Sequence, residues 1–238
     1  MAYSSQNEFY EIFRKYQPKK GFYSIYGNFG VGKTILALQM SLFSILRDND
    51  VIYLYSKPIF PYKELFRIKK SLEIQDKTIL SSHFNLVLIN NFSQLYTTIL
   101  NLEFIFLPKK KEGSNPRQII IDSLTDLYRL ELNSKDIERN VRLNYQLNQI
   151  LGTLVYLKQE YNLDILIINE SSKKTEIGEI KEIQAGGNVM QYWVRSAIKI
   201  ERTNVLNKRK IVIEIADEKP IYFFLNLTKG GFQLTSHT

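Results

Sequence analysis

The residues whose types and spacing point most clearly to chemistry lie in one short glycine-rich segment. It fits the pattern Gly-x4-Gly-Lys-Ser/Thr and consists of Gly27, Asn28, Phe29, Gly30, Val31, Gly32, Lys33 and Thr34. Glycines permit backbone torsions that turn successive N–H groups inward around phosphate oxygens, and a following helix adds the positive end of its dipole. The segment therefore predicts an ATP site in which Lys33 reaches the β- and γ-phosphates and Thr34 ligates Mg²⁺. A chance glycine-rich turn is the alternative, but the apolar strand before it and the amphipathic helix after it argue against that.

Two apolar runs further along the chain end in polar side chains that could complete such a site. One run, 119–121, is followed by Asp122, and the other, 167–168, by Asn169 and Glu170. A buried strand would fix the Asp122 carboxylate at the carboxyl edge of a sheet, where it can hold Mg²⁺ through water. Asn169 and Glu170 either sense the γ-phosphate or simply end a strand, and the sequence leaves both readings open. The candidate catalytic residues are Lys33, Asp122, Asn169 and Glu170, and the candidate metal ligands are Thr34 and Asp122.

The elements that must position these residues alternate between strand and helix over the first two-thirds of the chain. Strands are predicted over 22–26, 51–55, 86–89, 118–121, 163–168, 194–201, 210–215 and 221–227, and helices over 33–47, 62–72, 93–106 and 134–161. Residues 108–117 are interpreted as an exposed basic loop and residues 171–188 as a mobile loop. This order predicts an α/β fold with a mainly parallel central sheet flanked by helices and with C-terminal antiparallel strands. We expect a short helical segment over 1–20 and a single domain over 21–238.

Composition narrows the classes of function. The 238 residues include 32 Lys and Arg against 24 Asp and Glu, so the net charge of +8 favours polyanionic partners. The absence of Cys excludes disulfides, thiol nucleophiles and Cys-based zinc sites, and two His residues exclude a multi-His metal site. Because no signal peptide and no apolar run of membrane-spanning length is seen, the expected localisation is cytoplasmic.

The order of the motifs resembles the RecA/RadA recombinase superfamily, and within it archaeal RadB-like and other RadA paralogues. The resemblance covers about residues 20–235 and rests on the phosphate loop, Asp122-Ser123-Leu124-Thr125, the strand ending at Asn169-Glu170, and Gly186-Gly187-Asn188 followed by Tyr192-Trp193. It implies a RecA-like P-loop ATPase core that binds ATP and Mg²⁺. It also implies single-stranded DNA as a partner, a full-length recombinase or other repair proteins as further partners, and an accessory role in homologous recombination and DNA repair.

Two departures from the family pattern bear on activity and assembly. Lys57 stands where these recombinases usually place the Glu that polarises the attacking water. Because a protonated Lys cannot act as that base, we expect weak hydrolysis or the use of another group such as Glu170. No Phe has an Ala three positions later, so the Phe-x-x-Ala tether of polymerising recombinases is missing, and self-association stays an open question.

The resemblance also implies a DNA-binding loop after the strand that ends at Asn169. Its counterpart carries Lys173, Lys174 and Lys181, which we take as candidate DNA contacts; acidic residues in the same segment dilute this charge, and a solvated surface is the alternative. A second function therefore stays open, that of a KaiC-like nucleotide-dependent signalling or scaffold protein without DNA binding. A P-loop kinase for small molecules ranks third, because no lid with clustered Arg is seen.

Overall fold

The computed structural model describes residues 21–112, 116–176 and 179–234, so the helical segment predicted over 1–20 lies outside the described residues. The strands are β1 (Phe22–Gly27), β2 (Asp50–Tyr55), β3 (Phe84–Leu88), β4 (Pro116–Asp122), β5 (Asp164–Glu176), β6 (Glu179–Gln184), β7 (Ser196–Arg202), β8 (Lys208–Ile215), β9 (Ile221–Thr228) and β10 (Gly231–Leu234). The helices are α1 (Lys33–Ile45), α2 (Tyr62–Ser71), α3 (Ile79–His83), α4 (Phe92–Glu112), α5 (Leu124–Glu131), α6 (Ile137–Tyr161) and α7 (Gly187–Trp193).

The strands form one sheet in the order β10-β9-β8-β7-β1-β5-β4-β2-β3, and β6 pairs with β5 outside this path. The pairs from β7 through β1, β5, β4 and β2 to β3 are all parallel. The pairs β7–β8, β8–β9 and β9–β10 are antiparallel. This confirms the predicted α/β fold, and it brings the carboxyl ends of β1, β5, β4 and β2 to one edge of the sheet.

Helices cover both faces of the parallel part of the sheet, which explains why its central strands are mostly apolar. One face packs against α1 through residues such as Leu38 and Leu42, and the other packs against α6 through residues such as Leu147 and Leu154. The central residues of β5, Ile165 to Ile168, are completely buried. A strand that is covered on both faces reads as a continuous apolar run rather than as an alternation. None of the described helices combines the length and the hydropathy needed to cross a membrane.

The last strand is held by the helix that follows the glycine-rich loop. The fully buried side chain of Gln39 in α1 donates from Nε2 to the carbonyl oxygen of Phe232 at 2.9 Å and accepts from the Phe232 N–H at 2.7 Å. The Phe232 ring is also fully buried. Because both polar groups of one β10 residue are satisfied by one side chain, β10 and α1 form a single packed unit.

Two segments differ from the sequence-based expectation. The interpretation of 171–188 as a mobile loop is wrong, because β5 continues to Glu176 and pairs antiparallel with β6, from Ser171 opposite Gln184 to Glu176 opposite Glu179. Residues 171–176 are all polar, and the two isoleucines of β6 are three positions apart, so the hairpin lacks the apolar alternation by which a strand is identified. The interpretation of 108–117 as a basic loop is also wrong where the structure describes it: α4 continues through Pro108 to Glu112, and β4 begins at Pro116. Residues 113–115 of this segment lie outside the described residues.

Several element ends also differ, for local reasons. Helix α6 begins at Ile137 rather than at residue 134, because the Asp136 side chain caps it by accepting from the Arg139 N–H at 2.9 Å. Helix α5 and strand β10 were not predicted, and both are short. The Ser123 hydroxyl caps α5 by accepting from the Asp126 N–H at 3.3 Å.

Candidate functional site

The glycine-rich loop connects the end of β1 to the start of α1, as the motif predicts. Gly32 is the residue before α1 and has a φ of 109°, which L side chains rarely adopt. A Cβ on Gly32 would lie 2.9 Å from Phe232 Cζ, and a Cβ on Gly27 would lie 2.4 Å from the carbonyl oxygen of Ile200. The loop therefore requires glycine at these two positions, because its backbone runs against the C-terminal strands.

The ammonium of Lys33 is folded back over the loop. Its Nζ donates to the carbonyl oxygens of Gly27 at 2.8 Å and Asn28 at 3.0 Å, and to Glu170 Oε2 at 2.8 Å. Its side chain is only 5% exposed. Burial lowers the pKa of Lys33, and the Glu170 carboxylate opposes this shift. The structure thus brings Lys33 and Glu170 together in one ion pair. A phosphate group could replace the Glu170 carboxylate as the anionic partner of Lys33.

Asp122 ends β4 and is completely buried. Its Oδ2 accepts hydrogen bonds from Thr34 Oγ1 at 2.8 Å and from Tyr53 OH at 3.0 Å. Its Oδ1 is buried and has no hydrogen-bond partner among the described residues. Burial raises the pKa of Asp122, while Lys57 and the two hydrogen bonds oppose the shift. A carboxylate oxygen and a hydroxyl in contact, with one further oxygen unpartnered, is a donor set that fits Mg²⁺.

Asn169 and Glu170 lie at the end of β5, beside the strand that carries Asp122. Asn169 is completely buried, and its Oδ1 accepts from Thr125 Oγ1 at 3.1 Å. Its Nδ2 has no partner among the described residues. Like the unpartnered oxygen of Asp122, this amide is a buried polar group for which an unseen partner is expected.

Lys57 follows the end of β2 and faces the same pocket. Its Nζ lies 4.0 Å from Asp122 Oδ1, and its side chain is 35% exposed. The segment is fixed to the end of β4 by Ser56, whose N–H donates to the Asp122 carbonyl oxygen and whose hydroxyl accepts from the Ser123 N–H, both at 2.8 Å. The register of β2 and β4 thus places a positive charge beside the candidate metal ligand.

Sequence reasoning missed three residues that contact the site. Arg202 donates from Nη2 to the carbonyl oxygen of Phe29 at 3.0 Å, and Arg209 donates from Nε to that of Val31 at 3.2 Å. Burial and the neighbouring Arg202 lower the pKa of Arg209. Tyr53 is the third, through its hydrogen bond to Asp122. No signal in the sequence identifies the two arginines, because more than 170 residues separate them from the loop.

The candidate DNA-contacting residues lie on the β5–β6 hairpin rather than on a loop. Lys173 is exposed and stands opposite Glu182, and Lys174 stands opposite Lys181. The hairpin contacts the phosphate loop through Asn28, which donates from Nδ2 to Glu182 Oε1 at 3.1 Å and accepts from Ser171 Oγ at 2.5 Å. The structure therefore places the predicted nucleotide-binding and DNA-binding segments next to each other.

An open cavity of about 580 Å³ lies on the other side of the hairpin. Its walls come from α5, α6, the hairpin and the start of α7, and they include Tyr128, Arg129, Asn144, Ser172 and Asn188. At the end of α7, Trp193 donates from Nε1 to Asn148 Oδ1 at 2.6 Å, while Tyr192 is 73% exposed. Trp193 thus packs against the core, whereas Tyr192 faces solvent.

Comparison with known proteins gives a consistent set of relatives. The DNA repair and recombination protein RadB of Methanococcus maripaludis strain C5 is 32% identical over 196 residues, which are 82% of this chain and 82% of that protein. RadB of Methanocaldococcus jannaschii is 28% identical over 181 residues, 76% of this chain and 77% of that protein. RadB of Methanosphaera stadtmanae is 25% identical over 189 residues, 79% and 76% of the two chains. No protein-family model matches the chain.

Proposed function

The chain belongs to the RadB family of DNA repair and recombination proteins, and on that premise we propose that it is an ATP-binding recombinase paralogue with weak hydrolytic activity. In this proposal it binds single-stranded DNA and acts as an accessory factor in homologous recombination and repair. Residues 21–238 form its single RecA-like ATPase domain. A full-length recombinase is the expected protein partner.

The observation that carries the proposal is the contact between Thr34 and Asp122 beside the glycine-rich loop. The two oxygens lie 2.8 Å apart where β1 and β4 end, and the second Asp122 oxygen is buried without a partner among the described residues. Thr34 and Asp122 would hold Mg²⁺, which neutralises charge on the β- and γ-phosphates when it is bound. The loop amides and Lys33 would bind the phosphate oxygens, so Lys33 would exchange Glu170 and two carbonyl oxygens for phosphate.

Weak hydrolysis follows from the charges around the site. Lys57 lies 4.0 Å from Asp122 Oδ1 and cannot accept a proton from water while it is protonated. Glu170 is the carboxylate that could do so, but its Oε2 is bound to Lys33. It becomes free only when Lys33 moves to a phosphate. Asn169, whose amide nitrogen is buried without a described partner, is the proposed sensor of the γ-phosphate.

Binding of DNA is proposed for the β5–β6 hairpin, with Lys173, Lys174 and Lys181 as the contacts. The support is the position of the hairpin against the phosphate loop and the net charge of +8. Neutralisation of several phosphates by these residues would make the affinity fall steeply as salt rises. The second candidate, a KaiC-like nucleotide-dependent signalling or scaffold protein, is favoured by Glu182, which stands opposite Lys173 and reduces the positive charge of the hairpin.

Calorimetric titration of ATP with Mg²⁺ tests nucleotide binding. The native protein should release heat with a saturable isotherm, and Lys33→Ala should lose it because the β/γ-phosphate contact is removed. Lys158→Gln, a change to a half-buried lysine on α6 across the sheet, is the matched control and should bind as the native protein does. An absence of heat with the folded native protein, or normal binding by Lys33→Ala, would overturn the assignment of the loop.

Filter binding of single-stranded DNA at several salt concentrations separates the two candidate functions. The recombinase paralogue should bind single-stranded DNA at low salt, and the logarithm of its binding constant should fall linearly with the logarithm of the salt concentration. A Lys173→Ala/Lys174→Ala/Lys181→Ala protein should show a smaller slope in this plot, because it contacts fewer phosphates. An absence of binding at low salt, with and without ATP, favours the scaffold protein.

A further inference from the structure

The carboxyl edge of the sheet contains two lysines where a phosphate loop needs one. Lys33 belongs to the loop itself, and Lys57 approaches from the end of β2. The ammonium of Lys57 lies 4.0 Å from Asp122 Oδ1, and the other oxygen of that carboxylate is bonded to Thr34, the residue after Lys33. Glu170 is paired with Lys33, and Asp126 is a further carboxylate near Lys33 and Asp122.

The ammonium of Lys57 lies near the site but forms no hydrogen bond with the Asp122 carboxylate. At 4.0 Å from Asp122 Oδ1 it is beyond hydrogen-bonding distance, so its N–H donors stay free of that carboxylate. Its side chain is 35% exposed, whereas Asp122 is completely buried, so Lys57 is the member of this pair that reaches solvent. A phosphate bound at the loop next to Thr34 and Asp122 would therefore lie within reach of Lys57.

A half-exposed ammonium of this kind is chemically suited to the end of a triphosphate. The outermost phosphate carries the most negative charge and is the one that a divalent cation normally helps to neutralise. Lysine binds phosphate as a point charge, and hydrogen bonds to charged groups are stronger than neutral ones. At the same position a Mg²⁺ ion held by Asp122 would be repelled by Lys57, because both are cations.

We propose that Lys57 is a cationic ligand of the terminal phosphate of bound ATP and replaces part of the charge that Mg²⁺ supplies. Nucleotide binding by this chain then depends only weakly on divalent cation and favours the triphosphate over the diphosphate. The inference rests on the proposed ATP binding at the same site. It gives Lys57 a positive role, in addition to the loss of a catalytic base.

The alternative is that Lys57 serves only to balance the buried charge of Asp122. In that case its removal would lower the stability of the folded protein and would affect ATP and ADP equally. The two explanations are distinguished by different measurements. If Lys57 binds the phosphate, its removal changes the ratio of the ATP affinities measured with and without Mg²⁺. If Lys57 only balances the charge of Asp122, its removal leaves that ratio unchanged.

Fluorescence titration with N-methylanthraniloyl ATP and ADP, each in Mg²⁺ and in EDTA, measures these ratios. The native protein should lose less than about tenfold in ATP affinity on removal of Mg²⁺. Lys57→Gln should lose roughly ten- to hundredfold in EDTA, the range expected for one charged hydrogen bond. The preference of Lys57→Gln for ATP over ADP should fall by a similar factor. The Mg²⁺ concentration that gives half of the maximal ATP binding should be lower than for the native protein, because the repulsion between Lys57 and Mg²⁺ is removed.

Three further proteins control the experiment. Lys57→Arg keeps the charge and should stay close to the native ratios, Lys57→Glu should bind ATP only with Mg²⁺, and Lys158→Gln should not differ from the native protein. Thermal melting shows which variants are folded. If Lys57→Gln unfolds, Lys57→Arg still tests the inference. This variant keeps the positive charge, so a loss of ATP binding in EDTA would contradict the proposed role.

The outcomes separate the two proposals. If the native protein binds neither nucleotide in Mg²⁺, the proposed ATP binding fails. If it binds ATP in Mg²⁺ and Lys57→Gln has the same affinity ratios, only the role of Lys57 is overturned. If both proteins lose ATP completely in EDTA, the weak dependence on metal is likewise wrong while ATP binding stands.

Discussion

The substitution Asp122→Asn should make the nucleotide-free protein slightly more stable while it lowers the affinity for ATP in Mg²⁺ toward the affinity in EDTA. Asp122 is completely buried, and one of its carboxylate oxygens has no hydrogen-bond partner among the described residues. An Asn at this position still accepts the hydrogen bonds from Thr34 and Tyr53 through its carbonyl oxygen. The change thus removes a buried charge and keeps the contacts that position the side chain.

The expected gain follows from two opposing contributions. Replacement of a buried ion pair by neutral side chains of similar volume is often neutral or stabilising by about 1–4 kcal/mol, and we apply this range to the Asp122 carboxylate, which has Lys57 4.0 Å away. The new amide group takes the place of the unpartnered oxygen, and an unsatisfied buried donor costs about 1–3 kcal/mol. The midpoints of the two ranges leave a net gain of about 0.5 kcal/mol. Such a gain raises the melting temperature by about 1–2 °C for a domain of this size.

The pH dependence has a defined sign. Burial raises the pKa of Asp122 in the folded protein, so the folded carboxyl holds its proton to a higher pH than the unfolded one. The contribution of this group to stability is complete below the ordinary aspartate range and is lost as pH rises through the raised pKa. The advantage of Asp122→Asn should therefore grow with pH and level off above that value.

Urea unfolding of both proteins between pH 5 and 8, in EDTA, measures the difference. Asp217→Asn, in an exposed turn, is the matched control and should leave stability within about 0.5 kcal/mol at every pH. A loss of more than about 1 kcal/mol in Asp122→Asn at pH 8 would show that the carboxylate is stabilising and would refute this account of its burial. Calorimetry with ATP in Mg²⁺ should show an affinity that falls to about the value in EDTA, a loss of less than about tenfold.

Three other predictions concern the loop, the tyrosines and turnover. Gly32→Ala should lower the unfolding free energy by more than Gly187→Ala in urea, because both positions have positive φ but only at Gly32 does the new Cβ meet Phe232, at 2.9 Å; equal losses would contradict this. Absorbance at 295 nm should show tyrosines that ionise above pH 10, with Tyr55 near 12, and stability should fall with rising pH in that window because the folded pKa is the raised one; complete ionisation of the folded protein by pH 10 would count against it. Phosphate release should stay slow with and without single-stranded DNA because Lys57 replaces the expected base, and rates typical of a DNA-stimulated recombinase would disprove the reasoning.

The edge of the sheet around the glycine-rich loop is the region where the sequence carries the clearest signal. Asp122 and Asn169 each follow a run of apolar residues, and the carboxyl ends of parallel strands meet at one edge, so the side chains that end these strands lie near one another. A strand that is buried on both faces has a strong signal because most of its residues are apolar. The glycine-rich loop adds a pattern of fixed spacing, which predicts a phosphate site.

The segments that were predicted wrongly are held by features that a single sequence does not display. The β5–β6 hairpin is mostly polar in sequence and is defined by backbone pairing, which gives no apolar period. Helix α4 continues through Pro108 although proline removes the hydrogen bond to the carbonyl of Phe104; this residue is 70% exposed, so water can serve that carbonyl. The contacts of Arg202 and Arg209 with the loop depend on the antiparallel flank, whose approach no local pattern reveals.

The hydrogen bonds between α1 and β10 limit how far the chain can be truncated from its C-terminal end. Gln39 satisfies both backbone groups of Phe232, and the ring of that residue lies against Gly32 at the start of the same helix. Proteolytic removal of β10 would thus take two hydrogen bonds from the buried amide of Gln39 and open a gap beside Gly32. Loss of the last strand would therefore disturb the glycine-rich loop, which lies some two hundred residues earlier in the chain, and a shortened form with an intact loop must retain β10.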